Sequence, residues 1–569
     1  MLLLPGFLLL LIPVFPAAAP GSQDPGRWVQ RFAFHGQIPY TGLGEQVANL
    51  GDVDADGIPD IGATVGGAVP GAVYVVSGAD GRRLYRLEVP KGDPDYGETL
   101  AALGDVNGDG HDDFLVGAPN AAVPGRQDAG VVYVHSGADG SLLYLRRGLP
   151  STWGSGSGQF GRGLTGLGDV DGDGIPDFAV GSYKADPRTN PDAGKVEIFS
   201  GVDGSRLLTI PGHDPSSNYG FALAAADVDG DGTRELVVGA PRYSERPDPW
   251  HGRVYIHSAT DGRLLRIHEP EVIDFGLFGE AVAGLGDLNG DGCEEIAVGH
   301  PNAGPNFGGL VYVFSGANGA LLFEVEGTDL NTEFGSVLAG GGDANGDGIP
   351  DLLAGAPVAS KGSWLWTGAF ALFSGADGSL LLVETGRTAR DRLGASLAFG
   401  GDPDGDGTDD ILVSAPYANI GFRNFVGAVY ALGYEPFLWT EDREVSISAQ
   451  ETLTLNLDFP PSAGGDTWQL LLSATGTGPA HLGIRLNIPL TPDDLFQRTL
   501  RGDYSMLGAG SQGMTGVLDP AGDGQILLDF PPGQPLTAAG RTYYAAVLSY
   551  SPNGRPHLVS AAAAFTVVP

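Results

Sequence analysis

Cysteine is almost absent. The single thiol of this 569-residue chain, Cys293, can form no intramolecular disulfide and supplies no zinc or iron–sulfur set. Basic residues are scarce, 31 against 69 acidic ones. The resulting net charge of −38 argues against nucleic acid and anionic membrane surfaces as partners. There is no His-Glu-x-x-His motif. The ten histidines are scattered, and His135 and His257 fall inside strand-like segments where a structural role is expected. Helical periodicity is missing between residues 28 and 434. Beyond the N-terminal segment no apolar run is long enough to cross a bilayer, so membrane insertion of a mature chain is not expected. Disorder is excluded too: with 93 glycines and 41 prolines, 42% of residues are still hydrophobic.

Residues 1–19 read as a secretory signal, with apolar Leu2–Leu4 and Leu8–Ile12 followed by small Ala17-Ala18-Ala19. A short uncleaved anchor is the alternative. Either places the protein outside the cytosol, secreted or at a cell surface.

What the chain has in abundance is one motif, Asp-x-Asp/Asn-x-Asp-Gly-x-x-Asp/Glu, seven times over. Successive copies begin 53, 64, 58, 60, 56 and 59 residues apart, so one supersecondary unit is used repeatedly. Side chains at positions 1, 3, 5 and 9 and the backbone carbonyl at position 7 are the candidate ligands. These are Asp52, Asp54, Asp56, Ile58 and Asp60 in the first loop, and Asp105, Asn107, Asp109, His111 and Asp113 in the second. The third has Asp169, Asp171, Asp173, Ile175 and Asp177; the fourth, Asp227, Asp229, Asp231, Thr233 and Glu235. The fifth has Asp287, Asn289, Asp291, Cys293 and Glu295; the sixth, Asp343, Asn345, Asp347, Ile349 and Asp351. The seventh has Asp402, Asp404, Asp406, Thr408 and Asp410. Alternate acids aim at one centre, a glycine permits the sharp turn, and the last acid offers both oxygens. Such hard oxygen donors suit Ca²⁺, up to seven ions, rather than Zn²⁺ or copper. An EF-hand differs, with its bidentate acid at position 12 and flanking helices. Solvated acidic turns are the plain alternative.

Around each loop lie four strand-like segments. In the second unit they are Tyr96–Leu103, Phe114–Val116, Val131–His135 and Ser141–Leu145. Asp80-Gly81, Asp139-Gly140, Asp203-Gly204, Asp261-Gly262, Asn318-Gly319 and Asp377-Gly378 join the last two strands and read as type I′ turns. Seven four-stranded units predict an all-β, seven-bladed β-propeller over residues 28–434, with an open solenoid as the alternative. The seventh unit lacks its last strand, and Trp28–Phe34, ahead of the first unit, would supply it and close the ring. Residues 436–569 lack the acidic repeat. Their short apolar runs between turns suggest a small β-sandwich.

The repeats resemble the FG-GAP repeats of the integrin α-subunit head. The name elements stand as Phe160-Gly161, Phe278-Gly279 and Phe334-Gly335, and as Gly117-Ala118-Pro119, Gly239-Ala240-Pro241 and Gly355-Ala356-Pro357. The resemblance implies a seven-bladed propeller with Ca²⁺ in loops on one rim, though in that family only some blades carry the loop. The departures are Leu43-Gly44, Gly181-Ser182-Tyr183, Gly299-His300-Pro301 and Pro403, none of which removes a ligand. The C-terminal region looks like domains appended to secreted bacterial proteins of this kind.

Loops opposite the metal rim vary, and they carry Tyr183, Arg242, Tyr243, Trp250, Trp364, Trp366, Tyr417 and Arg423. Aromatics and arginine on loops over a rigid scaffold suggest binding of a protein or polysaccharide ligand, with local loop packing as the alternative. The favoured reading is a calcium-stabilised interaction or adhesion module without enzymatic activity. An extracellular hydrolase or polysaccharide lyase on the same propeller, and a structural envelope or matrix protein, are the competing ones. Arg501-Gly502-Asp503 is read as incidental in a chain this rich in glycine and aspartate.

Overall fold

A computed structural model describes residues 26–436 apart from 37–39, 67–70, 89–92, 94, 124–127, 149–157, 187–189, 245–249, 271–274, 305–306, 328–331, 363, 406 and 421–422. Beyond residue 436 it describes the backbone of strands. The segment 1–19, Asp406 and Arg501-Gly502-Asp503 lie outside the described residues. All regular structure is β, with no helix among the described residues. Past Pro436 the described residues are strands, among them Thr452–Asp458 paired with Asp523–Asp529 and Thr467–Ser473 paired with Arg541–Tyr550.

Residues 26–436 form seven sheets of four strands, a seven-bladed β-propeller. Blade two is representative: Thr99–Gly104, Asp113–Ala118, Val131–His135 and Leu142–Arg147 pair antiparallel in chain order. First strands of successive blades stand side by side around a central channel, and Leu397–Gly401 of blade seven returns to Leu43–Asn49 of blade one. Small side chains are frequent where seven strands converge. The channel is lined by Ala48, Gly166, Ala225, Gly284, Gly340 and Ala398, with larger residues such as Leu223 and Arg234 among them. Second strands are buried from end to end and read as continuous apolar runs, such as Phe114-Leu115-Val116. Fourth strands lie outermost and expose alternate apolar residues such as Leu142 and Leu380.

Blade seven contains Leu397–Gly401, Asp410–Ala415 and Ala428–Pro436, and its outer strand is the N-terminal Gly26–His35. The joint from blade seven to blade one repeats the internal joints. Leu43 bridges Gly427 in parallel, as Tyr219 bridges Gly194, Phe278 bridges Gly252 and Leu393 bridges Gly368.

The name elements of the repeat meet across these joints. Gly279 adopts φ 83°, donates its N–H to the Gly299 carbonyl, and places its own carbonyl directly over Gly239 of the preceding blade. A Cβ on Gly239 would overlap that oxygen. The residue before this glycine packs on the end of its blade's third strand, and the two co-vary. Phe160, Phe278 and Phe334 meet Phe199, Phe314 and Phe373, whereas Tyr96 and Tyr219 meet His135 and His257.

One expectation fails. The turns between third and fourth strands are not two-residue type I′ turns. Gly140 N–H bonds the Ser136 carbonyl four residues back, and only the glycine has positive φ. Asp139 keeps an ordinary φ because its carboxylate accepts the Ser141 N–H at 2.8 Å, and the same bond recurs at Asp80, Asp203, Asp261, Asn318 and Asp377.

Candidate metal loops and the opposite rim

The seven acidic loops join first to second strands and therefore share one rim. In each, the first aspartate shapes the turn. Asp169 accepts the N–H groups of Gly172 (2.7 Å) and Asp173 (3.1 Å) at one oxygen and that of Gly174 (2.7 Å) at the other. Asp105, Asp227, Asp287 and Asp343 do the same. Asp52 accepts from Asp56 and Gly57, and Asp402 from Gly407. The fifth-position acids Asp56, Asp109, Asp173, Asp231, Asp291 and Asp347 each accept the N–H of the seventh residue: Ile58, His111, Ile175, Thr233, Cys293 or Ile349.

The ninth-position acids are at most 4% exposed. Six open a second strand and Asp60 immediately precedes one, and their burial follows from that strand's place inside the blade. Asp177 accepts N–H bonds from Val170 (2.9 Å) and, at its other oxygen, Gly201 (3.0 Å). Each oxygen keeps a further lone pair. Burial pushes these carboxyls up, Asp60 and Asp113 to about 6, Glu235 to about 7 and Asp351 to about 8, and neighbouring loop aspartates add repulsion. A cation at the loop centre would remove that cost.

In blades one, three and four the structure brings positions 1, 3 and 9 together. Oxygens of Asp52, Asp54 and Asp60, of Asp169, Asp171 and Asp177, and of Asp227, Asp229 and Glu235 lie within 4.8 Å of one another. In blades five and six the third-position amides, Asn289 and Asn345, donate to Glu295 (2.7 Å) and Asp351 (3.2 Å), while Asn107 donates to Ser136 (3.5 Å). A half-turn of each amide would present oxygen instead. Blade seven differs. Arg31, on the closing strand, reaches Asp404 at 2.6 Å and Asp410 at 3.6 Å.

Position 8 was not singled out from sequence, yet it ties neighbouring loops. Asp112 accepts the Asp52 N–H at 2.9 Å and donates its own N–H to the Asp52 carbonyl at 3.0 Å. Glu294 with Asp227 and Asp409 with Asp343 repeat this reciprocal pair. Pro59, Pro176, Pro350 and Arg234 take the position elsewhere. Three acids at position 8, Asp112, Glu294 and Asp409, stand out in the sequence, but their partners depend on which blades become neighbours.

On the opposite rim, Trp250, Trp364 and Trp366 are 46%, 50% and 45% exposed. Arg242 stacks on Trp250, and half-buried Tyr183 packs edge-on against Phe221, which also receives Arg162. Arg423 is exposed. Tyr243 does not belong to this surface. It is buried in the core between blades three and four, with Arg253 over its ring. Trp366 and Tyr417 come together across blades six and seven, with Tyr40, Arg390, Arg392 and Phe425, around a cavity of about 460 Å³. The last four were missed because they lie in three separate connections.

The FG-GAP repeat family matches at residues 96–135, 160–199, 219–257, 278–314, 334–369 and 393–432, one blade each from the second to the seventh. Integrin alpha-5 of Xenopus laevis is 32% identical over 204 residues, integrin alpha-V of Gallus gallus 33% over 205 and integrin alpha-PS2 of Drosophila melanogaster 35% over 209. Each match covers 33% of this chain but only 19%, 19% and 14% of those relatives. With six matched repeats set in a closed ring, the chain is an FG-GAP repeat protein whose propeller resembles that of integrin α chains.

Proposed function

We propose that this protein is an extracellular, calcium-binding interaction module that adheres to a protein or polysaccharide through its variable-loop rim. The observation that supports this best is the division of the two rims. One carries convergent carboxylates held by backbone N–H groups, with oxygens within 4.8 Å in three loops. The other carries exposed tryptophans and arginines on irregular connections. The bound ion would be structural. It would neutralise buried acids such as Asp177 and Glu235 and lock the turn that begins each second strand. Side chains of positions 1, 3, 5 and 9 would hold it, with the carbonyls of position 7 completing the shell. The 1–19 signal reading and the resemblance to integrin α chains support an extracellular location.

Two measurements on the full chain test this. Chelation should lower the unfolding midpoint and added Ca²⁺ restore it, and Asp177→Asn should weaken that restoration while leaving attachment to immobilised matrix at saturating Ca²⁺. Trp250→Ala should reduce attachment without altering the calcium response. A midpoint indifferent to chelation, or attachment indifferent to every rim variant, would defeat the reading.

A second reading, hydrolytic or lyase chemistry on the same rim, draws on Glu280. Burial, reinforced by Glu333, pushes its carboxyl up to about 7 against the pull of Arg162 and Arg242. Product release from polysaccharides that disappears in Glu280→Gln would favour it.

A further inference from the structure

Left-handed backbone conformations recur at fixed places on the variable-loop rim. One lies two residues before the glycine that opens a third strand. Others lie one and three residues before the aromatic–glycine or leucine–glycine pair of the next blade. Around blades two to four these places hold Asp128, Gln159, Asp192, Ser216 and Asn218, polar residues of the kind that populate such conformations. Leu277 stands at the joint of blades four and five, and Phe307 and Glu333 at that of blades five and six. Where blades six, seven and one meet, the same places hold Trp366, Arg390, Arg392, Phe425 and Tyr40 together.

Bulky side chains disfavour this conformation, and strained positions concentrate at ligand clamps. All five converge, with Tyr417, on the cavity of about 460 Å³. Its chemistry is specific. Tyr40 and Trp366 are 57% and 45% exposed, with Phe425 against one ring and Arg390 over one face of the other, which leaves part of each ring to a partner. Arg390 stands over Trp366 and Arg392 over Tyr417, which fixes both guanidinium groups at the cavity wall. Arg390 is exposed. Glu45 accepts a hydrogen bond from Tyr417 and offsets part of the Arg392 charge, so exposed Arg390 supplies the open positive charge. In a chain of net charge −38 it gives an acidic polymer a local point of attraction.

We propose that this junction binds an acidic polysaccharide, seating a uronate-type sugar with its ring on Trp366 and Tyr40 and its carboxylate on Arg390 and Arg392. Planar guanidinium groups match a carboxylate in two parallel hydrogen bonds, and aromatic faces cover the apolar C–H face of a sugar ring. An acidic peptide side chain offers the charge but no ring for the platform. This assignment rests on the reading of the variable rim as a binding surface and names the ligand class for it.

The test is calorimetric titration of the full chain at fixed calcium with a glucuronate oligosaccharide and with its carboxyl methyl ester. The acid form should bind and the ester should bind about tenfold more weakly or worse, as should the acid form to Trp366→Gly and to Arg390→Asn. Both substitutions place a residue suited to positive φ, so the unfolding midpoint should rise while binding is lost. Equal binding of acid and ester, binding untouched by both variants, or a midpoint that falls in both overturns the proposal. So does binding of an acidic peptide in place of the oligosaccharide. If no oligosaccharide binds while Trp250→Ala still reduces matrix attachment, the ligand class falls and the rim reading stands. If attachment ignores every rim variant, both fall.

Discussion

Gly279 shows what a single residue contributes to this ring. At φ 83° a side chain is strained, and a Cβ would lie 2.8 Å from Val254 Cγ2 and 3.1 Å from the Arg253 carbonyl oxygen. Gly279→Ala should therefore cost about 1–3 kcal/mol, read as a lower unfolding midpoint, whereas Gly292→Ala, with open space around its Cβ, carries the backbone strain alone and should cost less. The tyrosine–histidine pairs allow a second prediction. His135 takes 2.9 Å contacts from Tyr96 Oη at Nε2 and the Gly140 carbonyl at Nδ1, which suits the neutral ring with Nδ1 donating and Nε2 accepting. Burial pulls His135 and His257 below the ordinary value of 6.5, and His268 and His300 down to about 4. A depressed histidine favours folding in its neutral form. Its contribution is complete above pH 6.5 and is lost as pH falls from there toward 4. At fixed saturating calcium the unfolding midpoint should therefore drop between pH 7 and pH 5. Replacing Tyr96 and His135 together by phenylalanine, the pair used by three other blades, should flatten part of that drop at little cost in stability at pH 7.

At the scale of the element, the acidic loop folds itself before any ion is considered. Its first carboxylate gathers N–H groups at positions 4, 5 and 6, its fifth caps position 7, and its ninth is carried inward by the second strand. The period and the identity of these positions were legible in the sequence because each is dictated by local turn chemistry. The glycine pair without Cβ atoms at the blade joint was legible only as a motif, since the contact between Gly239 and Gly279 spans two blades. The inner position of Tyr243, the reciprocal Asp52–Asp112 pair and the cluster around Trp366 were not legible, because each depends on which blades become neighbours. Arg31 belongs to the same class. Its guanidinium already neutralises Asp404 and Asp410, so the seventh loop should bind Ca²⁺ more weakly than loops one, three and four. Arg31→Gln should lower stability in chelator, and added calcium should recover more of the midpoint in the variant than in the parent chain.

For the whole molecule, closure is the controlling feature, because a propeller protects its sheet edges only when the last blade meets the first. The ring is held there by the Leu43–Gly427 bridge and by the outer strand Gly26–His35, which is drawn from the opposite end of the chain. Phe32 and Phe34 from that strand pack against the cluster of Leu43, Val47, Leu412 and Val429 that joins blades seven and one. Removing residues 26–35 would strip two aromatic side chains from this cluster, release Arg31 from two acids, and leave the strand Ala428–Pro436 with an unpaired edge. Loss of each partly buried phenylalanine costs on the order of 2 kcal/mol before any strand hydrogen bonds are counted, a large fraction of a domain's net stability. The truncated chain should unfold at a lower temperature, in a broader transition, and form dimers or aggregates through the bared edge in size-exclusion chromatography. A closed ring transmits this loss to every blade, whereas a solenoid would confine it to the terminal repeat. Amide hydrogen exchange separates the two. Faster exchange in blades three to five of the truncated chain supports closure as the source of stability, and exchange altered in blades one and seven alone refutes it.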